Sequence, residues 1–101
     1  MHEYHDATFR RIECEWDSGK VRLSFLLCIS PTMAVSIQAT GLRNLLCSRR
    51  FPWGKSLSVN RLTVTPLADG YKLVVEMQSG DIIEVEASGI EELDGNDGCW
   101  P

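Results

Sequence analysis

The chain has 101 residues, 44% apolar and 24% charged, with a formal net charge of −4. Such a chain buries roughly two thirds of its unfolded surface, enough for one core without a covalent staple, so a single domain over residues 1–101 is expected. No apolar stretch approaches the roughly 20 residues that span a bilayer as a helix, and an acidic balance disfavours a nucleic-acid partner.

The first expected unit is a hairpin, with a strand over residues 7–17 and a second over 20–29. A two-residue turn at Ser18-Gly19 sets Trp16 opposite Val21, Cys14 opposite Leu23 and Ile12 opposite Phe25 on one face. Glu15 then meets Arg22 and Asp17 meets Lys20 on the other, so both faces agree. Pro31 ends the second strand. Met33, Val35, Ile37 and Ala39 alternate with Ala34, Ser36 and Gln38, which gives a third strand. Gly41 reads as a turn. Leu42, Leu45 and Leu46 fit one helical turn, but between β segments a short fourth strand over 42–48 is preferred. A fifth strand over 56–65 carries Leu57 and Val59 on one face and Leu62 and Val64 on the other. That change of parity predicts a bulge near Asn60-Arg61.

The last hairpin, 73–87, is the clearest unit. With Gln78-Ser79-Gly80 as a three-residue loop and Gly80 at positive φ, Met77 faces Asp81, Val75 faces Ile83 and Leu73 faces Val85. A two-residue loop would set Val75 against Glu84 and mix charge into the apolar face. The tail from Ser88 is acidic and Gly-rich, with Ile90 and Leu93 expected in a short packed turn. About seven short strands with hairpin connections predict an all-β fold, an antiparallel β-sandwich or a partly open barrel.

Charge is unevenly distributed. From Ser18 to Ala68 there is no acid, and from Leu73 to Pro101 there is no base. Cross-strand pairing between a basic middle and acidic flanks is one expectation; a polarised surface that steers a charged partner is the other. Cys14, Cys28, Cys47 and Cys99 contain no Cys-x-x-Cys pair, which disfavours a zinc knuckle or dithiol site. Cys14 is expected as a small buried hydrophobe. Cys28 and Cys47 could meet across a sheet, although a reducing cytosol would keep them as thiols.

Catalytic chemistry finds little support. His2, His5 and Asp6 cluster at the start of the chain, but no third strong ligand is near in sequence. A structural role is expected for His5 and Asp6, and no metal or cofactor. There is no Gly-x-Ser-x-Gly elbow and no Gly-rich phosphate loop, so no catalytic residue is assigned. Glu84 and Glu86 share one wet strand face, where carboxylates serve solubility. The best functional candidate is Ser48-Arg49-Arg50-Phe51-Pro52-Trp53-Gly54-Lys55-Ser56. Arg49, Arg50, Phe51, Trp53 and Lys55 mix bases and aromatics around a rigid Pro, suiting a protein-binding surface with an aromatic anchor. The alternative is that Phe51 and Trp53 cap one end of the barrel.

His5-Asp6-Ala7, Glu15-Trp16-Asp17, Pro52-Trp53-Gly54-Lys55-Ser56 and Met77-Gln78-Ser79-Gly80-Asp81 together resemble a family of small uncharacterised bacterial β-rich proteins. That family is loosely similar to toxin-immunity proteins. The resemblance implies a bacterial cytoplasmic domain and no catalytic residue; Lys55 stands where a Pro or a small turn residue is expected. The expected function is a non-enzymatic protein-interaction module of immunity type. The alternatives are a structural homodimer that pairs an exposed edge strand, and a hydrolase or metal-dependent enzyme using His2, His5 and an acid.

Overall fold

The computed structural model describes residues 2–28, 33–50 and 57–94. All regular structure among them is strand: β1 (Thr8–Glu15), β2 (Lys20–Leu27), β3 (Met33–Cys47), β4 (Val59–Leu67), β5 (Gly70–Met77) and β6 (Ile82–Asp94). Every pairing is antiparallel, and the order is β1-β2-β3-β6-β5-β4. Two three-stranded meanders, β1-β2-β3 and β4-β5-β6, therefore meet along β3 and β6.

Period-two alternation decides which face is dry. Leu23 and Phe25 of β2, Val35 and Ile37 of β3, Leu73 and Val75 of β5 and Ile83 and Val85 of β6 are all buried in one cluster. Burying a side chain of this size contributes about 1.5–3 kcal/mol. A flat sheet would leave that face wet, so the sheet has to curl. The bend falls in the two long strands. Gly41 adopts φ +67° in mid-β3, and Thr40 pairs Gly89 just before a bulge between Leu42 and Asn44. The first part of β3 then lies between β2 and the end of β6, and its last part runs along the start of β6.

The curl brings the outer strands together at one end. Thr8 and Ser58 form a bridge. The Phe9 N–H donates to the Leu57 carbonyl at 2.8 Å, and the Val59 N–H donates to the Ala7 carbonyl at 2.8 Å. Tyr4 and Phe9 close over Phe25, with ring centroids 4.9 and 5.3 Å away. The result is an all-β sheet that is not closed, a partly open barrel.

Among the described residues there are six strands rather than about seven. Gly41 bends a 15-residue strand instead of ending one. The tail past Ser88 is not a packed turn: it continues β6, with Ala39 opposite Ile90, Ile37 opposite Glu92 and Val35 opposite Asp94. The β5–β6 hairpin has the expected register, Val75 with Ile83 and Leu73 with Val85. Gly80 sits at φ +99°, and Met77 N–H donates to the Asp81 carbonyl at 2.8 Å. The β4 bulge between Val59 and Arg61 is also where parity placed it.

The first hairpin differs. Cys14 pairs Val21 and Ile12 pairs Leu23, and Gly19 N–H closes a longer loop on the Glu15 carbonyl at 3.0 Å. A β1 bulge between Phe9 and Arg11 adds one more residue to the shift. Trp16 is thereby moved from the apolar face to the loop, where it is 85% exposed. Cys14 is exposed rather than buried, because β1 is an edge strand beside the open seam. Cys28 and Cys47 are also exposed, free thiols.

Candidate functional site

The end of the barrel beside the β5–β6 turn holds a cleft of about 300 Å³. Phe9, Leu57, Met77 and Ile83 supply apolar lining, and the Cys47 thiol adds to it. Arg10 reaches the cleft because it is the extra residue of the β1 bulge; such a residue has no cross-strand partner and its side chain is re-aimed. Arg49 enters from the chain that leaves β3.

Asp81 organises this end. It faces Met77 on the apolar side of the hairpin and is only 6% exposed. Its Oδ1 accepts from Ser48 Oγ at 2.9 Å and from the Arg50 N–H at 2.8 Å, and its Oδ2 accepts from Ser79 Oγ at 3.1 Å. Together these bonds tie the chain leaving β3, at Ser48 and Arg50, to the hairpin. Ser48 N–H also donates to the Ile82 carbonyl at 2.9 Å, continuing the β3–β6 ladder.

Arg49 and Arg50 are exposed, and with Arg10 they form no ion pair with a described residue. Phe51, Trp53 and Lys55 lie outside the described residues. Sequence reasoning missed Arg10, Leu57 and Asp81. Asp81 carried a signal: an acid placed opposite Met77 on an otherwise apolar face needs dedicated donors.

Elsewhere opposite charges pair across strands. Lys72 Nζ lies 3.1 Å from Glu84, and Arg43 lies 2.6 Å from Asp69. Glu84 and Glu86 sit on the outer face opposite Leu46 and Asn44.

The N-terminal segment forms two separate groups. His5 Nδ1 meets the Asn60 carbonyl at 2.9 Å, and its other ring nitrogen lies 3.6 Å from Asp6. The Asn60 carbonyl and then Asp6 hold the His5 imidazole above its ordinary pKa. Asp6, at φ +67°, accepts from Gln78 Nε2 at 2.6 Å. These are structural contacts to neighbouring loops.

His2 joins Glu92 and Asp94, distant in sequence. The carboxylates share the inner face of β6, opposite Ile37 and Val35. His2 Nε2 is 2.8 Å from Asp94 Oδ1. Tyr4 Oη donates to Glu92 Oε2 at 2.6 Å, and the His2 N–H donates to the same oxygen at 2.9 Å. Burial and Glu92 together push the Tyr4 phenol far up. One ligand atom from each of His2, Glu92 and Asp94 lies within 4.8 Å of the others, a spacing that could hold a divalent cation.

No protein-family model matches this chain, and no curated protein does. Among solved structures, the fold resembles the crystal structure of an uncharacterized protein from Neisseria gonorrhoeae, with a TM-score of 0.68. Identity is 16%, and the match covers 89% of this chain and 92% of that one. At that identity the likeness bears on the fold alone.

Proposed function

We propose that the chain is a non-enzymatic protein-interaction module, of the kind that serves as an immunity partner in the bacterial cytoplasm. Its docking face is the Asp81 end of the barrel. The observation that carries this reading is the combination of an apolar cleft with Arg10, Arg49 and Arg50, which form no ion pair with a described residue. Bases around an apolar depression steer an acidic partner and leave room for its anchor. The cleft lining contains no imidazole, and His2 and His5 are engaged with Asp94 and Asn60. No helix among the described residues is long and apolar enough to cross a membrane.

The test is association with the protein encoded beside it. Arg49→Glu combined with Arg50→Glu should slow association, and raised salt should slow the wild type in the same way. Binding that ignores both changes overturns the reading.

A second reading is self-association. Trp16 is 85% and Leu46 56% exposed, and the last part of β3 has a described strand neighbour only in β6. Such an edge can pair with a second copy. A molar mass in solution that is dimeric for wild type and monomeric for Leu46→Lys would favour it.

A further inference from the structure

We infer that the cleft takes an apolar side chain flanked on both sides by carboxylates, presented by an acidic segment of the partner protein. The inference rests on the docking face proposed above and names what that face recognises.

Charge points to the flanking acids. Among the described residues two arginines, Arg10 and Arg49, line the cleft against one carboxylate, Asp81, and both Asp81 oxygens already accept hydrogen bonds. Arg10 and Arg49 come from β1 and from the end of β3, which do not pair with each other. A ligand with one charged end would satisfy one of them; acids on both sides of an anchor would satisfy both. Size points to the anchor. About 300 Å³ is the lower end of the range for ligand pockets, room for one side chain rather than a large ligand.

The backbone offers few donors on the floor of the cleft. Ser48, Met77 and Gln78 N–H groups are spent on Ile82, Asp81 and Ser58 carbonyls. An incoming segment therefore meets side chains there rather than these three donors.

Cys47 supplies the readout. It lines the cleft as an exposed free thiol, while Cys14 and Cys28 are exposed thiols outside it. The full chain is alkylated with N-ethylmaleimide, and each cysteine is followed by peptide mass spectrometry. The probe is a blocked pentapeptide with leucine between two pairs of acidic residues. At saturation, Cys47 modification should slow about tenfold while Cys14 and Cys28 stay unchanged. Arg10→Glu and Arg49→Glu should each weaken protection roughly tenfold, and Arg→Gln at either position should weaken it less. Both residues are exposed, and an unchanged urea midpoint shows that the variants fold. The inference is overturned by equal protection from a serine-centred or lysine-flanked peptide, by protection from decanoate but not the peptide, or by no protection at all. If the pentapeptide fails while Arg49→Glu with Arg50→Glu still disrupts the partner complex, the inference falls and the docking face stands. If those variants leave the complex intact, the docking face itself falls.

Discussion

The Asp81 carboxylate accepts the backbone N–H of Arg50 at 2.8 Å, so the turn of the C-terminal hairpin holds the chain that leaves β3. Asp81→Ala removes three side-chain bonds made with described residues and leaves Ser48 Oγ and the Arg50 N–H without this acceptor. The loss should be about 1–3 kcal/mol by urea unfolding. Ser79→Ala deletes one of the three and should cost less. An Asp81→Ala midpoint equal to wild type would show that the contact does not hold the chain at Arg50.

Gly80, at φ +99°, lies where a β-branched residue is strained. Gly80→Val should destabilise by more than about 1 kcal/mol, since only Gly visits such conformations cheaply. An unchanged midpoint would mean the hairpin closes through another turn.

Gly41 bends β3 at φ +67°, and a Cβ there would stand 2.8 Å from Ser88 Cβ. Gly41→Ala should therefore cost about 1–3 kcal/mol, strain and overlap together. Ser88→Gly removes the overlap and leaves the strain. The double variant should recover part of the loss, a coupling of roughly 0.5 kcal/mol or more between touching residues. Strict additivity would place the bend elsewhere.

The His5 titration is raised from its ordinary 6.5, first by the Asn60 carbonyl and then by Asp6. A raised folded value means that the contribution is full below about pH 6.5 and fades as pH climbs through the folded value. Asp6→Asn should lower the midpoint seen by proton NMR without bringing it fully back, because the larger cause is untouched. A midpoint at or below 6.5 in the wild type would contradict the contact.

Tyr4 donates to Glu92 from a buried position. Its phenol is held neutral well past its ordinary value of 10, so this stabilisation is present below pH 10 and declines above it. Tyr4→Phe should cost about 1–3 kcal/mol, as for a bond to a charged acceptor. A neutral substitution would mean that Glu92 is held by His2 alone.

The C-terminal hairpin was legible because a shift of one residue brings Glu84 onto the apolar face. The N-terminal hairpin was not, because its alternative register differs by two residues. Parity survives such a shift, and Glu13–Arg22 with Glu15–Lys20 matches charges as well as Glu15–Arg22 with Asp17–Lys20. Gly41 misled for a related reason: positive φ serves a bend inside a strand as readily as a turn between strands. The acids of the last part of β6 hid a strand whose Glu92 and Asp94 stand opposite Ile37 and Val35 and are met by Tyr4 and His2. At the candidate site, Arg49 and Arg50 could be read from composition. Arg10 and Leu57 could not, since they converge through a bulge and a barrel seam.

The two meanders meet along the β3–β6 ladder and at the short seam of Thr8 and Ser58. Each contributes only part of the buried cluster, so neither can keep its own dry face from water. A chain cut between Ser48 and Ser58 would yield two fragments with complementary open edges, at β3 and at β6. They should fold only on meeting, so the cut protein would assemble at a rate set by fragment concentration. Recovery of native fluorescence on mixing would then report the docking of one half on the other as a single bimolecular event.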